Sequence, residues 1–386
     1  MHEVRVNRKA ARRVASGHLW IFESDVIDKG DAEAGAAVQV VDLKGRPLGT
    51  AHFSAASQIA LRMLSRQVQE IDRNFFAQRL AAAEAHRRRV VSGTDAYRVV
   101  HGEGDLLPGL VVDRYADYLV MQTLNQGMDG VREWIAASLV DLFAPRGIVA
   151  RNDAAVRSKE ALPLESSVIY GVVPDSVELR MNGLLLHADL LHGQKTGLFL
   201  DQRENYVAAS RYAGGKALDC FTSSGGFAMH AARACESVEA VDSSGAALAN
   251  AARNAALNGI SNLEFREADV FVLLAAYASA RRQFGTVILD PPAFAKSRSQ
   301  VEDAIRGYKE INLRALRLLG PGGILVTCSC SQRVSEATFL ELVAQASLDA
   351  GRQIRVLERR TQGLDHPILL TVPETHYLKC LILEVL

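Results

Sequence analysis

The chain has 386 residues, too many for one typical domain, so two or three are expected. Hydrophobic residues make up 48% and charged residues 23%, which excludes a disorder-dominated chain, and no apolar run approaches the roughly 20 residues of a bilayer-spanning helix. Lysine plus arginine balance aspartate plus glutamate at 44 each, so any affinity for nucleic acid has to come from a local basic patch.

Residues 1–70 read as a compact all-β module, with strands over Ala37 to Asp42, Leu48 to Phe53 and Ile59 to Leu64 and a turn at Lys44-Gly45-Arg46-Pro47. Its opening carries Arg5, Arg8, Lys9, Arg12 and Arg13, followed by Gly17-His18-Leu19-Trp20-Ile21-Phe22. Cations meet phosphates and rings stack on bases, so Arg5, Arg8, Lys9 and Trp20 are candidate RNA contacts. A solvated basic helix with Trp20 in the core explains the same residues without RNA. Residues 71–175 read as a small α+β domain: a helix over 72–92, a strand Tyr97 to Val100, a hairpin of Leu110 to Tyr115 and Tyr118 to Thr123, a helix Asp129 to Phe143 and a strand Gly147 to Arg151. The run His86-Arg87-Arg88-Arg89 suits the negative end of its helix.

From residue 187 to 386 strands and helices alternate, which predicts a doubly wound parallel α/β sheet. The strands fall at Lys216 to Phe221, Val238 to Asp242, Leu263 to Glu267, Thr286 to Asp290 and Gly323 to Ser329, with Ile354 to Glu358 and Tyr377 to Leu386 closing the sheet. That last strand is either interior or an exposed edge able to pair with a second copy, so a homodimer is one expectation.

In such sheets ligands bind beyond the carboxyl ends of the strands. The first strand ends at Asp219-Cys220-Phe221, and Thr222-Ser223-Ser224-Gly225-Gly226 turns into a helix at Phe227. Small residues let a ligand approach the backbone, and a helix N-terminus favours a carboxylate. Asp242 ends the second strand, where an acid can accept ribose hydroxyls, and Asp269 follows the third, where it can accept an adenine amine. Asp290-Pro291-Pro292 ends the fourth. No Gly-x-Gly-x-x-Gly motif is present, which weakens a dinucleotide reading. Each acid alone is more often an ordinary strand-end or capping carboxylate. Together Asp219, Asp242, Asp269 and Asp290 favour S-adenosylmethionine and a class I methyltransferase fold.

The fifth strand ends Thr327-Cys328-Ser329-Cys330-Ser331. A thiolate adding to carbon 6 of a pyrimidine makes carbon 5 able to take a methyl group, and a base then removes the carbon 5 proton. Purine amines need no thiol. Residues two apart share a strand face, so periodicity does not separate Cys328 from Cys330. Cys330 is preferred because it lies nearer the carboxyl edge, leaving Cys328, Cys220, Cys235 and Cys380 as small buried hydrophobes. An odd number of cysteines without a Cys-x-x-Cys pair argues against disulfides and a metal site. With no apolar h-region at the N-terminus, the expectation is a cytoplasmic protein.

The whole chain resembles the ribosomal RNA large-subunit methyltransferase I family, which makes 5-methylcytosine in 23S RNA. The residues that carry the likeness are Gly17 to Phe22, Lys195-Thr196-Gly197-Leu198-Phe199-Leu200-Asp201-Gln202-Arg203, Asp219-Cys220-Phe221, Asp290-Pro291-Pro292-Ala293-Phe294, Arg306-Gly307-Tyr308-Lys309 and Ser329-Cys330-Ser331. The resemblance implies an N-terminal PUA domain, a central domain, a Rossmann-like catalytic domain, and ribosomal RNA as partner. It also implies that Phe199 and Gln202 line the cofactor pocket, alongside Asp219, Phe221, Ser224, Gly225, Gly226, Phe227, Asp242, Asp269, Asp290 and Pro291. The family's Ser-Cys-Ser supports Cys330 as the nucleophile. Ala293 stands where other cytosine carbon-5 methyltransferases carry a second cysteine, so the resemblance leaves the proton-removing base unassigned, with Asp290 or a water it orients as candidates. Lys296 and Lys309 are further candidate phosphate contacts. The competing readings are methylation of another target, such as uracil or a purine amine, and a non-catalytic RNA-binding protein of the same fold.

Overall fold

The computed structural model describes residues 1–193, 195–295 and 300–386. They divide into two compact units. The first comprises Met1–Gly183, Ala188–Leu200 and Leu364–Thr375; the second comprises Leu184–His187, Asp201–Gly363 and His376–Leu386. No helix among the described residues is long and apolar enough to cross a membrane.

The first unit holds both N-terminal segments expected from the sequence, each with its own sheet. Strands β1 (Glu3–Val6), β2 (Trp20–Ile21), β3 (Val26–Asp28), β4 (Ala37–Val41), β5 (Pro47–Phe53) and β6 (Leu61–Ser65) form one sheet in the order β2-β6-β5-β4-β1-β3. The segment is not purely β, because α1 (Arg8–Ala15) follows β1. Asn7 caps it by accepting from Ala10 N at 2.9 Å, and Ala10 and Val14, four apart, bury one face. The second segment begins with α2 (Arg73–Val90), capped by Asp72, and continues through β7 (Ala96–His101), β8 (Leu110–Tyr115) and β9 (Tyr118–Thr123). After β9 come two short helices, α3 (Gln126–Gly130) and α4 (Arg132–Phe143), where the sequence suggests one. Asn125 caps the first, and the backbone leaves helical geometry at Val131, immediately after Gly130. Strands β10 (Gly147–Asn152) and β11 (Glu165–Gly171) complete a sheet ordered β11-β10-β9-β8-β7. All seven residues of β11 are exposed, so no apolar alternation marks that strand in the sequence. β12 (Val177–Met181) follows; of β13 (Leu184–Ala188), Leu184–His187 belong to the second unit.

The second unit is a seven-stranded sheet flanked by helices. Its elements are α5 (Arg203–Ser210), β14 (Lys216–Cys220), α6 (Gly226–Ala231), β15 (Ser237–Asp242), α7 (Gly245–Leu257), β16 (Leu263–Glu267), α8 (Val270–Ser279), β17 (Phe284–Leu289), α9 (Val301–Arg317), β18 (Leu319–Ser329), α10 (Glu336–Asp349), β19 (Ile354–Arg360) and β20 (Lys379–Val385). The order is β16-β15-β14-β17-β18-β20-β19, with β14 through β18 parallel and β20 antiparallel to both neighbours. Strand order reverses between β14 and β17, which opens a crevice beyond their carboxyl ends. β20 lies inside the sheet, not at its edge, and pairs over six residues with β18. The terminal strand therefore offers no edge for a second copy, and the reasoning that suggested a homodimer loses its support.

Candidate active site

The strand ends of the second unit converge on a cluster of acids. Asp219, fully buried in β14, accepts from Thr222 Oγ1 at 2.6 Å through Oδ2, while its Oδ1 has no hydrogen-bond partner. Burial pushes its carboxyl up to about 7; the Thr222 bond opposes the rise and the charge of Asp290 adds to it. An orphaned buried acceptor is costly unless a ligand donates to it.

The loop after β14 is held in an unusual backbone. Phe221 and Ser223 adopt left-handed φ values of 64° and 50°, and Gly225 follows at 80°. Non-glycine residues pay for this conformation, which concentrates at ligand-binding turns. Thr222 N donates to Val241 O at 3.0 Å and Ser223 N donates to Asp242 Oδ2 at 2.8 Å, so the loop is tied to the end of β15. The other Asp242 oxygen accepts from Ser244 N at 2.9 Å. Gly226 begins α6 against Tyr206: a methyl added to Gly226 meets Tyr206 Oη at 2.6 Å, so only glycine fits. Phe227 packs edge-on to the same ring at 4.7 Å between centroids. Asp269 is exposed and caps α8, accepting from Val272 N at 3.0 Å.

Asp290 stands one residue beyond β17 and accepts from Gln202 Nε2 at 2.9 Å. Gln202 is in turn oriented by Asn205, whose Nδ2 donates to Gln202 Oε1 at 2.7 Å, and Asn205 Oδ1 accepts from Arg360 Nε at 2.8 Å. Phe199 belongs to the first unit, where the Lys195 ammonium lies over its ring at 4.1 Å.

The two cysteines of β18 and its end differ in surroundings. Cys328 is fully buried and registers opposite Cys380 on β20. Burial, reinforced by the Cys380 thiol, pushes the Cys328 thiol well above its ordinary range. Cys330 lies just past the strand, partly exposed, with Sγ 3.9 Å from Pro291 O. Ser331 fixes this turn: its Oγ accepts from Ala295 N at 3.3 Å and bonds Tyr308 Oη at 2.9 Å. The Asp290-Pro291-Pro292 loop and the Ser329-Cys330-Ser331 turn are thus fastened together, with Phe294 stacked near Tyr308 at 4.6 Å.

Family models match residues 4–66 as a PUA-like domain and residues 151–368 as an S-adenosylmethionine-dependent methyltransferase. The chain is 43% identical over 378 residues to the ribosomal RNA large subunit methyltransferase I of Tolumonas auensis and 42% identical over 377 residues to that of Shewanella amazonensis, covering 95% of each chain in both cases. The chain belongs to the ribosomal RNA large subunit methyltransferase I family. It is an S-adenosylmethionine-dependent methyltransferase. Two solved structures share its fold over 100% of both chains at 20% identity. One, described as a methyltransferase complexed with S-adenosylhomocysteine, superposes with a TM-score of 0.87, and one from Streptococcus mutans, described as a SAM-dependent methyltransferase, with 0.85. The unsatisfied Asp219 oxygen, the glycine-only approach at Gly226 and the strained loop between them fit the nucleoside and amino-acid moieties of that cofactor.

Several residues at the site escape sequence reasoning. Tyr206 is buried with its hydroxyl pushed well up, first by burial and then by Asp290, Asp201 and Asp219. Asn205 and Lys379 are others, of which only Lys379, a lone cation opening an apolar strand, leaves a visible signal; Tyr308 and Ser331 stand in motifs quoted from the sequence, but their mutual bond does not show there. Among the proposed RNA contacts, Arg5, Arg8 and Lys9 are exposed, whereas the Trp20 indole donates to Glu103 Oε1 at 2.8 Å and its ring is partly buried. Lys309 pairs with Asp349 at 2.8 Å, and Lys296 lies outside the described residues.

Proposed function

We propose that this enzyme methylates carbon 5 of a cytosine in large-subunit ribosomal RNA through a covalent adduct with Cys330. The observation that carries the reading is the partly exposed Cys330 sulfur beside Pro291 O, with Cys328 buried two residues earlier in the strand and its thiol pushed up by burial. The relatives' activity as ribosomal RNA large subunit methyltransferases supports ribosomal RNA as substrate, and the exposed Arg5, Arg8 and Lys9 of the PUA-like segment supply charge for its phosphates.

When bound, S-adenosylmethionine supplies an electrophilic methyl group. Asp242 would accept the ribose hydroxyls, Asp269 the adenine amine, and the Phe221 to Phe227 loop with Asp219 would hold the amino-acid end. The Cys330 thiolate adds to carbon 6 of the base, and the electron pair of the 5,6 double bond moves toward carbon 5, which becomes the nucleophile. After methylation, Asp290 or a water held by it takes the carbon 5 proton; the electrons restore the double bond and the carbon–sulfur bond breaks. Gln202 keeps the Asp290 carboxylate in place for that role. A carboxylate here, where amine methyltransferases carry an asparagine, supports a carbon acceptor over a purine amine.

The test is RNA containing 5-fluorocytidine. Fluorine at carbon 5 is not removed as a cation, so the adduct should persist as a denaturant-stable protein–RNA species. Formation by wild type and Cys328→Ala but not Cys330→Ala is expected; formation by Cys330→Ala rules the reading out.

A further inference from the structure

Lys379 opens β20 and registers opposite Ser329, the residue before Cys330. It is 4% exposed, and its ammonium donates to Ser331 O at 2.8 Å and Tyr377 O at 2.9 Å. Both acceptors are neutral, and no carboxylate among the described residues forms an ion pair with it. A buried cation with only neutral partners is unfavourable unless an anion forms nearby. The anions whose field reaches it are Cys330, when ionised, and Glu336 of α10, which is itself paired with Arg359 at 2.8 Å.

We propose that Lys379 is a positioning residue for Cys330, whose ammonium, clamped between Ser331 O and Tyr377 O, holds the sulfur as a thiolate at neutral pH while the thiol proton passes to water. Among the described residues, the other titratable groups around the sulfur do not supply that charge. Tyr308 of α9 is a neutral phenol bonded to Ser331, Cys328 and Cys380 are buried, and Asp290 beyond β17 is an acid. Burial lowers the Lys379 ammonium to about 8, so it keeps its proton at pH 7, and the thiolate's charge opposes the fall. That interaction is reciprocal: a thiolate that favours the ammonium is favoured by it to the same extent. The arrangement also links the segment carrying the sulfur to the last strand of the sheet through one side chain.

The inference rests on Cys330 being the nucleophile, but its readout does not. The pH dependence of Cys330 carbamidomethylation by iodoacetamide is measured on the full chain by peptide mass spectrometry, with Cys330→Ala as blank. Lys379→Gln, which retains hydrogen-bond donors without charge, and Lys379→Met are expected to move the midpoint up by about one unit or more, slowing the reaction at pH 7 about tenfold. Lys379→Arg is expected to stay near wild type. Folding is verified by circular dichroism and a thermal shift with S-adenosylhomocysteine; should Lys379→Met not fold, the Gln and Arg variants decide. A wild-type midpoint in Lys379→Gln, or an equal shift in Lys379→Arg, overturns the proposal. Methylation by Cys330→Ala would overturn the covalent reaction instead, leaving the alkylation midpoints to judge Lys379.

Discussion

The Gln202 amide reaches the Asp290 carboxylate at 2.9 Å and is itself held by Asn205, so the acid beyond β17 is oriented from the opening of α5. Replacing Gln202 by leucine removes a donor to a charged acceptor, an interaction worth about 1.5–3 kcal/mol. Turnover of Gln202→Leu is expected to fall by at least about tenfold with the far-ultraviolet circular dichroism unchanged. Steady-state methyl transfer to ribosomal RNA checks this, and wild-type turnover would leave Asp290 without the proposed positioning.

Cys328→Ala and Cys330→Ala separate packing from chemistry. The first removes a buried sulfur and is expected to cost about 1 kcal/mol of stability while turnover stays within a few-fold. The second is expected to leave stability nearly unchanged and methyl transfer undetectable. Urea unfolding paired with methyl incorporation reads both.

Asp219 should impose a pH dependence on the cofactor-free protein. Its folded carboxyl is raised to about 7 from an ordinary 3.8, so the folded state binds the extra proton between those values. Stability then falls as pH rises through that window, by an upper bound of about 4 kcal/mol. Chemical denaturation from pH 4.5 to 7.5 should show this slope, and Asp219→Asn should flatten it. A wild-type slope in the asparagine variant would mean another group is responsible.

Gly226→Ala places a methyl against the Tyr206 hydroxyl in a buried corner. A destabilisation of about 1–3 kcal/mol is expected, with a smaller thermal shift on adding S-adenosylhomocysteine. Tyr206→Leu in the same background should restore part of the shift by removing the ring carbons and hydroxyl that the added methyl meets.

The basic opening is tested by salt. Arg5, Arg8 and Lys9 replaced together by alanine should weaken RNA binding and reduce the slope of log affinity against log salt by up to about 3. Trp20→Ala should instead lower the stability of the first unit, because its indole is committed to Glu103. An unchanged salt slope in the triple variant would place the RNA surface elsewhere.

The parallel sheet is legible because strand-length segments alternate with helical ones and acids stand at or just past the ends of β14, β15, β16 and β17, and β14, β15 and β16 begin and end within a residue of where the pattern places them. β11 is not legible, since none of its side chains is buried. The α3–α4 break is hidden because Gly130 alone rarely ends a helix. Within the site, the strand-end acids stand out by position, but Asn205, Tyr206, Ser331 and Lys379 come together from α5, the β18 turn and β20, contacts that a linear pattern does not encode. Periodicity does not separate Cys328 from Cys330; position along the strand favours Cys330, and the difference in burial becomes visible once β20 is seen paired beside Cys328.

The division of the chain bears on how such an enzyme is inherited. The segment Leu364–Thr375 belongs to the first unit, where Asp365 accepts from Arg98 N at 2.9 Å and its carbonyl accepts from Arg87 at 2.8 Å, although the residues on either side of it belong to the second. Neither half is therefore a cassette. A single genetic crossover that exchanged the N-terminal part of the first unit for another module would strand this segment without its partners, so the two units are constrained to diverge together rather than be shuffled apart.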